Sequence, residues 1–272
     1  TIVTVLGVAL SALLVTAVLS TYASLNRFLY DMEVAESGNW EAYAELADGS
    51  QVAAAQDSGA LAQAGVTLMA TLSDIGFCDY ADLGEIGGNN DMSYLALKSF
   101  TGDMGNALGV RCSQGRLPEN DGELLVPYNI LDENTGYDNG FALGETVELP
   151  VGQRQAPDGA PGAEGYLNSS QGFFTTEDMD GLETARETLV DKQVRRYTVV
   201  GAYSRWNQAV VSGVGWTAFT AAAPEPGAFT EAYVAVPDGR TSEEVESAVE
   251  QAFPEAESVQ LHSGLLRARG GT

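Results

Sequence analysis

Few residues in this chain are of types that do chemistry. His262 is the only histidine, Cys78 and Cys112 are the only cysteines, and Lys98 and Lys192 are the only lysines. A Ser-His-Asp triad would have to recruit His262, and no G-x-S-x-G elbow presents a serine nucleophile. His262 closes a predicted strand, where a structural histidine is the expectation. One histidine and two cysteines cannot complete a four-ligand zinc site of the Cys/His kind within one chain. Neither lysine follows a G-x-x-x-x-G-K-[ST] loop, so the phosphate cradle of a P-loop is missing. The stretch DENTGYDNG, 132–140, echoes a calcium loop through Asp132, Asn134 and Asp138. It lacks the glycine at position 6 and the closing glutamate at position 12, which is Leu143. The 38 acidic residues offer many carboxylate pairs for glycoside hydrolysis, and nothing singles one out. Trp206, Trp216 and Phe219 could form an exposed aromatic patch, but core or inter-subdomain packing is the plainer expectation. The chain is expected to bind no cofactor and to catalyse nothing itself.

Charge narrows the partners. Thirteen basic against 38 acidic residues leave −25, a field that repels phosphate backbones and argues against nucleic-acid binding. The 44% hydrophobic and 19% charged fractions are those of a folded chain with a sizeable core. Cys78 and Cys112 lie 34 positions apart. In an oxidising compartment they could pair, for roughly 3–4 kcal/mol on the loop-entropy model. Otherwise they are two separate buried thiols that behave as small hydrophobes.

The elements that position these residues begin with an apolar run. Ile2 to Leu25 carries no charge over 24 residues. As a helix it extends about 36 Å, enough for a hydrocarbon core of about 30 Å. A signal peptide would have a shorter apolar region, and a soluble core helix would show a polar stripe, so a membrane span is expected. Thr1 is not a start residue, and the missing upstream flank is expected to hold basic residues. A long acidic segment without a Lys/Arg cluster follows, which fits translocation to the outer face.

Beyond the span, 26–36 continues the helix and Gly38 stops it. Strands are predicted at 40–46, 66–72, 92–100, 123–128, 146–151, 195–203, 229–236 and 258–262, with helices at 51–56 and 102–108. Residues 76–91 and 153–192, rich in glycine and acid, read as loop and as a long surface insertion. Thr241 to Glu244 fits a capping box. Val245, Ala248, Val249, Ala252 and Phe253 then form one apolar helical face, ended by Pro254. Strand–helix–strand therefore occurs near residues 40–72 and again at 229–262. An α+β fold with helices on one face of a sheet follows, interrupted by a β-rich middle.

The order of short motifs along the chain carries a resemblance. Gly38, Asn39 and Trp40 sit in SGNWEAY; Gly115, Arg116, Pro118 and Glu123 form G-R-x-P-x-x-x-x-E. LGETVEL with Gly144, YTVVG with Gly201 and LHSGLL follow in turn. That series resembles the extracytoplasmic domain of the MacB/FtsX-like ABC transporter permeases, Gram-positive members in particular. The resemblance implies four membrane helices per permease, with this domain between the first and second. It implies a helix and stalk at 1–30, a porter-like part of two β-α-β units at 31–110 and 228–272, and an inserted β-rich subdomain at 111–227. The motif residues would then be structural, with Gly115 and Pro118 setting a reversal, Arg116 forking to carbonyls or a carboxylate, and Glu123 opening a strand. The insertion at 153–192 is longer and more acidic than the family pattern.

Function follows as implication. The domain would couple ATP hydrolysis by a separate cytoplasmic ABC ATPase subunit to export, extraction or signalling at the outer face of the cell membrane. It would pair with a second permease copy and meet a peptide, lipid, lipoprotein or envelope protein. The alternative is a single-span, membrane-tethered sensor or adhesion domain. A secreted hydrolase ranks last, for want of a nucleophile.

Overall fold

A computed structural model describes residues 2–84, 94–131, 140–157, 165–177, 183–204, 211–237 and 240–269. Helix α1, Ile2–Ser37, runs 36 residues, about 54 Å. Its residues 4–25 are exposed throughout, Val5, Leu10, Leu14 and Leu19 among them. It is long and apolar enough to cross a membrane. Gly38 ends it at φ +98°, where its amide still reaches the Val34 carbonyl, and a Cβ there would run into the backbone of Ala107. Only glycine fits both the left-handed turn and that approach.

The chain then builds a flat antiparallel sheet. Strand β1 (Ala42–Leu46) leads through the short helices α2 (Ser50–Asp57) and α3 (Ala60–Ala64) to β2 (Thr67–Asp79). Near the other end, β13 (Thr230–Ala235) leads through α5 (Ser242–Ala252) to β14 (Ser258–Leu261), followed by α6 (Ser263–Ala268). The four strands lie in the order β14–β1–β13–β2, so each helical crossover skips one strand, the split β-α-β pattern. Ala42, Ala44 and Leu46 alternate with Tyr43 and Glu45, and the alanines and leucine pack beneath α2, α3 and α5. On α5 the buried side chains are Val245, Ala248, Val249 and Ala252, the expected stripe. The capping box is formed: the Glu244 amide donates to Thr241 Oγ1 (3.3 Å), and the Thr241 amide donates to the Glu244 carboxylate (2.8 Å). Helix α4 (Met104–Leu108) departs from the one-faced expectation. It packs on the opposite face with Trp40, Ala70, Leu72 and Tyr233.

The β-rich middle grows out of the same sheet. β2 passes a bulge between Asp74 and Gly76 and continues to Asp79, so residues 76–79, expected as loop, are strand. Its partner is β3 (Tyr94–Gly102). After β4 (Cys112–Gly115) come β5 (Glu123–Pro127), β6 (Thr146–Gln155) and the short β7 (Tyr166–Leu167). The pair β8 (Thr175–Glu177) and β9 (Glu183–Arg186) stands apart, and β10 (Thr188–Tyr203), β11 (Val211–Ser212) and β12 (Gly215–Ala221) complete the set. Beyond β2 the order is β3–β12–β5–β10–β6–β7, and β6 also pairs back to β2 at Phe77–Gly152. Six strands thus close into a small barrel. Its interior holds Leu95, Leu97, Leu124, Val126, Leu149, Val151, Tyr197 and Val199. β2 and β3, assigned by sequence to the first porter-like part, therefore also serve as barrel walls.

The stretch 153–192 is not simply a surface insertion. Arg154 and Glu187 within it are wholly buried and paired, Nε to Oε1 at 2.6 Å and Nη2 to Oε2 at 2.7 Å. The remaining guanidinium donors reach the carbonyls of Asn168 (2.6 Å), Gln171 (2.9 Å) and Gly172 (2.8 Å). The Phe174 amide donates to Glu187 (2.7 Å), and the Phe77 ring lies 5.2 Å from the guanidinium carbon. An acidic, glycine-rich composition hides this because its one buried cation satisfies a loop's carbonyls, not an apolar stripe. Removing one partner strands a buried charge. Arg154→Leu is expected to lower stability by about 3–5 kcal/mol in urea unfolding, and Arg154→Leu with Glu187→Leu to recover only part of that loss, because the carbonyls of Asn168, Gln171 and Gly172 still lose their donor.

Candidate functional site

The place where α1 meets the domain gathers polar and aromatic groups from both ends of the chain. β14 pairs with β1 so that Leu261 faces Ala42. The next residue, His262, therefore comes beside Glu41, donating its amide to the Glu41 carbonyl (2.8 Å). The imidazole of His262 stacks on Trp40 with ring centroids 4.3 Å apart and planes 12° from parallel. Nδ1 lies 2.9 Å from the Trp40 carbonyl oxygen and Nε2 lies 3.2 Å from the Glu33 carboxylate of α1. Helix α6 then folds back against α1, with Gly264 close under the Glu33 carboxylate.

A second layer locks the first. Trp40 Nε1 donates to the Ser37 carbonyl (2.9 Å), and Tyr30 donates to the Asn39 side-chain oxygen (3.0 Å). The Asn39 amide reaches the carbonyls of Asn106 and Ala107 on α4. Tyr43 and Tyr233 close round the Trp40 ring at 5.4 and 5.3 Å. Glu41 is buried, accepts from the Val236 amide (3.1 Å) and pairs with Arg269. Burial pushes its carboxyl above the ordinary range, against the pull of Arg269. This joint ties α1 to both halves of the flat sheet. It can transmit force or displacement.

Of the sequence-predicted residues, Gly38, Asn39 and Trp40 belong to this joint. The others meet elsewhere, on the C-terminal third of β10. Gly115 (φ +68°) is the strand partner of Gly201, and a Cβ on either would strike the other strand's backbone. The Arg116 amide donates to the Val200 carbonyl (3.0 Å), the Thr198 amide to Gly122 (2.8 Å) and the Gly144 amide to Val199 (2.7 Å). Pro118 is buried. The Arg116 fork grips Glu123 through two 2.6 Å bonds and also reaches the Leu117 carbonyl (3.0 Å). That fork, with the Glu119 amide at 2.9 Å, holds the Glu123 carboxyl down to about 2. The G-R-x-P turn is a clamp at the mouth of the barrel.

Both cysteine thiols, for which the sequence left pairing and separate burial open, are free. Cys78 faces the barrel interior and Cys112 packs on the cluster around Trp40 and Phe219, so two different cores hold them apart. Burial pushes Cys78 up to about 12, the behaviour of an inert thiol. Phe219 is buried beside Tyr203 and Trp216 packs half-buried on the barrel core, so these two form no exposed patch. Trp206 and the calcium-like positions Asp132, Asn134 and Asp138 fall outside the described residues. Sequence reading missed Glu33, Glu41 and Arg269. It did mark LHSGLL, the one signal that could have drawn His262 and Gly264 to the joint.

No protein-family model matches the chain, and no curated protein matches it.

Two consequences can be measured. Trp40→Ala removes the stacking partner of His262 and should lower stability by about 3–5 kcal/mol in denaturant unfolding of the detergent-solubilised chain. The Glu123 pKa is depressed on folding, so its stabilisation is present above the ordinary glutamate value and lost as pH falls toward 2. Thermal melts should therefore show Glu123→Gln well below the parent at pH 6, with the gap closing steadily below pH 4.5.

Proposed function

We propose that the chain is the extracytoplasmic domain of an ABC transporter permease of the MacB/FtsX-like kind, with α1 as its first membrane helix. One observation carries the reading: a long apolar helix, exposed throughout residues 4–25, continues without a break into a buried joint with the domain. Apolar surface on that scale has a favourable home in a bilayer. A helix fastened at its inner end by Glu33, Trp40 and His262 moves with the domain. Support also comes from the motif residues, which converge on the joint and on the β10 clamp, and from the two strand–helix–strand units, which match a porter-like part.

In this reading the domain does no chemistry. A separate cytoplasmic ABC ATPase hydrolyses ATP, a second permease copy pairs with this one, and movement of α1 reaches the outer face through the joint. There the domain serves export, extraction or signalling on a peptide, lipid, lipoprotein or envelope protein. The strongly acidic surface favours a cationic partner.

The test is purification of the full-length protein from its native membranes in mild detergent. A stoichiometric ATP-hydrolysing subunit should accompany it, with vanadate-sensitive turnover. A full-length protein that has only the α1 span and runs alone, without an ATPase, would establish the tethered sensor or adhesion module instead.

A further inference from the structure

Where the flat sheet becomes the barrel, three charged side chains from three neighbouring strands are buried together. Lys98 on β3 lies 2.7 Å from Glu231 on β13 and 3.8 Å from Asp74 on β2. Their side chains are 6, 12 and 12% exposed, respectively. Two carboxylates thus share one ammonium. The surroundings do not redress the balance. From β1, Glu45 stands opposite Glu231 and adds negative charge, its carboxylate accepting from Ser258 Oγ (2.7 Å). Tyr43 and Tyr233, the phenols beside Glu231 and Glu45, are pushed far up by burial first and by those carboxylates next, and stay neutral. Arg154 on β6 reaches Asp74 through its field but is already paired with Glu187.

Hydrogen bonding singles out one oxygen. Asp74 Oδ2 accepts from the Ser169 amide (2.7 Å), whereas the buried Oδ1 receives no hydrogen bond. Oδ1 faces the Lys98 ammonium at 3.8 Å, beyond hydrogen-bond reach, and a buried carboxylate oxygen without a hydrogen bond is costlier than a neutral carboxyl in its place. We propose that Asp74 and Glu231 hold one proton between them beside Lys98, and that its loss as pH rises loosens the seam between sheet and barrel. With the proton the group is neutral, and without it a net negative charge is buried.

The segment this would release is specific. Ser169 bonds Asp74, its carbonyl accepts from the Gly213 amide (2.7 Å), and neighbouring carbonyls at 168, 171 and 172 cover Arg154. Burial raises both carboxyls above 3.8 and 4.5, with Lys98 opposing. A carboxyl raised on folding contributes stability that is complete below the ordinary value and is lost as pH climbs through the raised one. The seam is therefore tightest in mildly acid solution, the reverse of the Arg116–Glu123 clamp.

Asp74→Asn mimics the protonated acid and keeps an acceptor for the Ser169 amide. Hydrogen exchange of that amide, corrected for the intrinsic pH dependence of exchange, is measured on the full chain in detergent. At pH 8 the variant should exchange about tenfold more slowly than the parent, and at pH 5 within about twofold. Equal ratios at the two pH values, or faster exchange in the variant at pH 8, overturn the proposal. Should Asp74→Asn not fold, Glu231→Gln is read in its place with the same two outcomes, and failure of both to fold also overturns it.

Discussion

The structure turns on the double membership of β2. Its first half pairs with β13 in the flat sheet, and its second half closes the barrel against β6. β3 lines it along both halves. A single strand serves both only if it bends without surrendering its backbone hydrogen bonds, and the bulge between Asp74 and Gly76 does this. The Asp74 amide, at the point of bending, is satisfied by the Phe229 carbonyl. Flat sheet and barrel are therefore one hydrogen-bonded continuum, and a displacement of one must be met by the other or by the bulge.

That continuity gives meaning to the joint at Trp40. The exposed apolar surface of α1 has no partner among the described residues, which is consistent with a membrane anchor or a signal sequence. What the domain supplies is a rigid grip on the inner end of the helix, through a stacked Trp–His pair and the carboxylates of Glu33 and Glu41. From Glu41 and Trp40 the contacts run into β1, from β1 into β13 and β2, and from β2 into the barrel. A chain of packed elements of this kind is what mechanical coupling requires, although contiguity by itself only makes such coupling feasible.

So acidic a protein uses its few cations with economy. Both lysines and several arginines are paired, and they hold backbone or strand junctions together: the buried Arg154 under the 168–172 carbonyls, the buried Lys98 at the seam, and the exposed Arg116 at the barrel mouth. These pairings specify geometry more than they add stability, because desolvation offsets much of the Coulomb attraction. Their two responses to acid run in opposite directions, since Glu123 gains from ionisation where Asp74 and Glu231 lose by it.

The amino-acid sequence alone determined whatever is encoded by period and by local bonding. The uncharged run of α1, its stop at Gly38, the Thr241–Glu244 cap with its apolar stripe, and the strands β1, β3, β13 and the second half of β10 needed only neighbours within a few positions. Tertiary structure decided the rest. β2 was read as ending near Leu72 because a bulge and two polar residues interrupt its alternation, and 153–192 was read as surface because Arg154 faces carbonyls. Glu33 finds His262, Lys98 finds Glu231 and Gly115 finds Gly201 across 229, 133 and 86 positions of chain. Hydrophobic period says which face of a segment is buried, not which distant segment will bury it, and a charge shows its partner only once the sheet has closed.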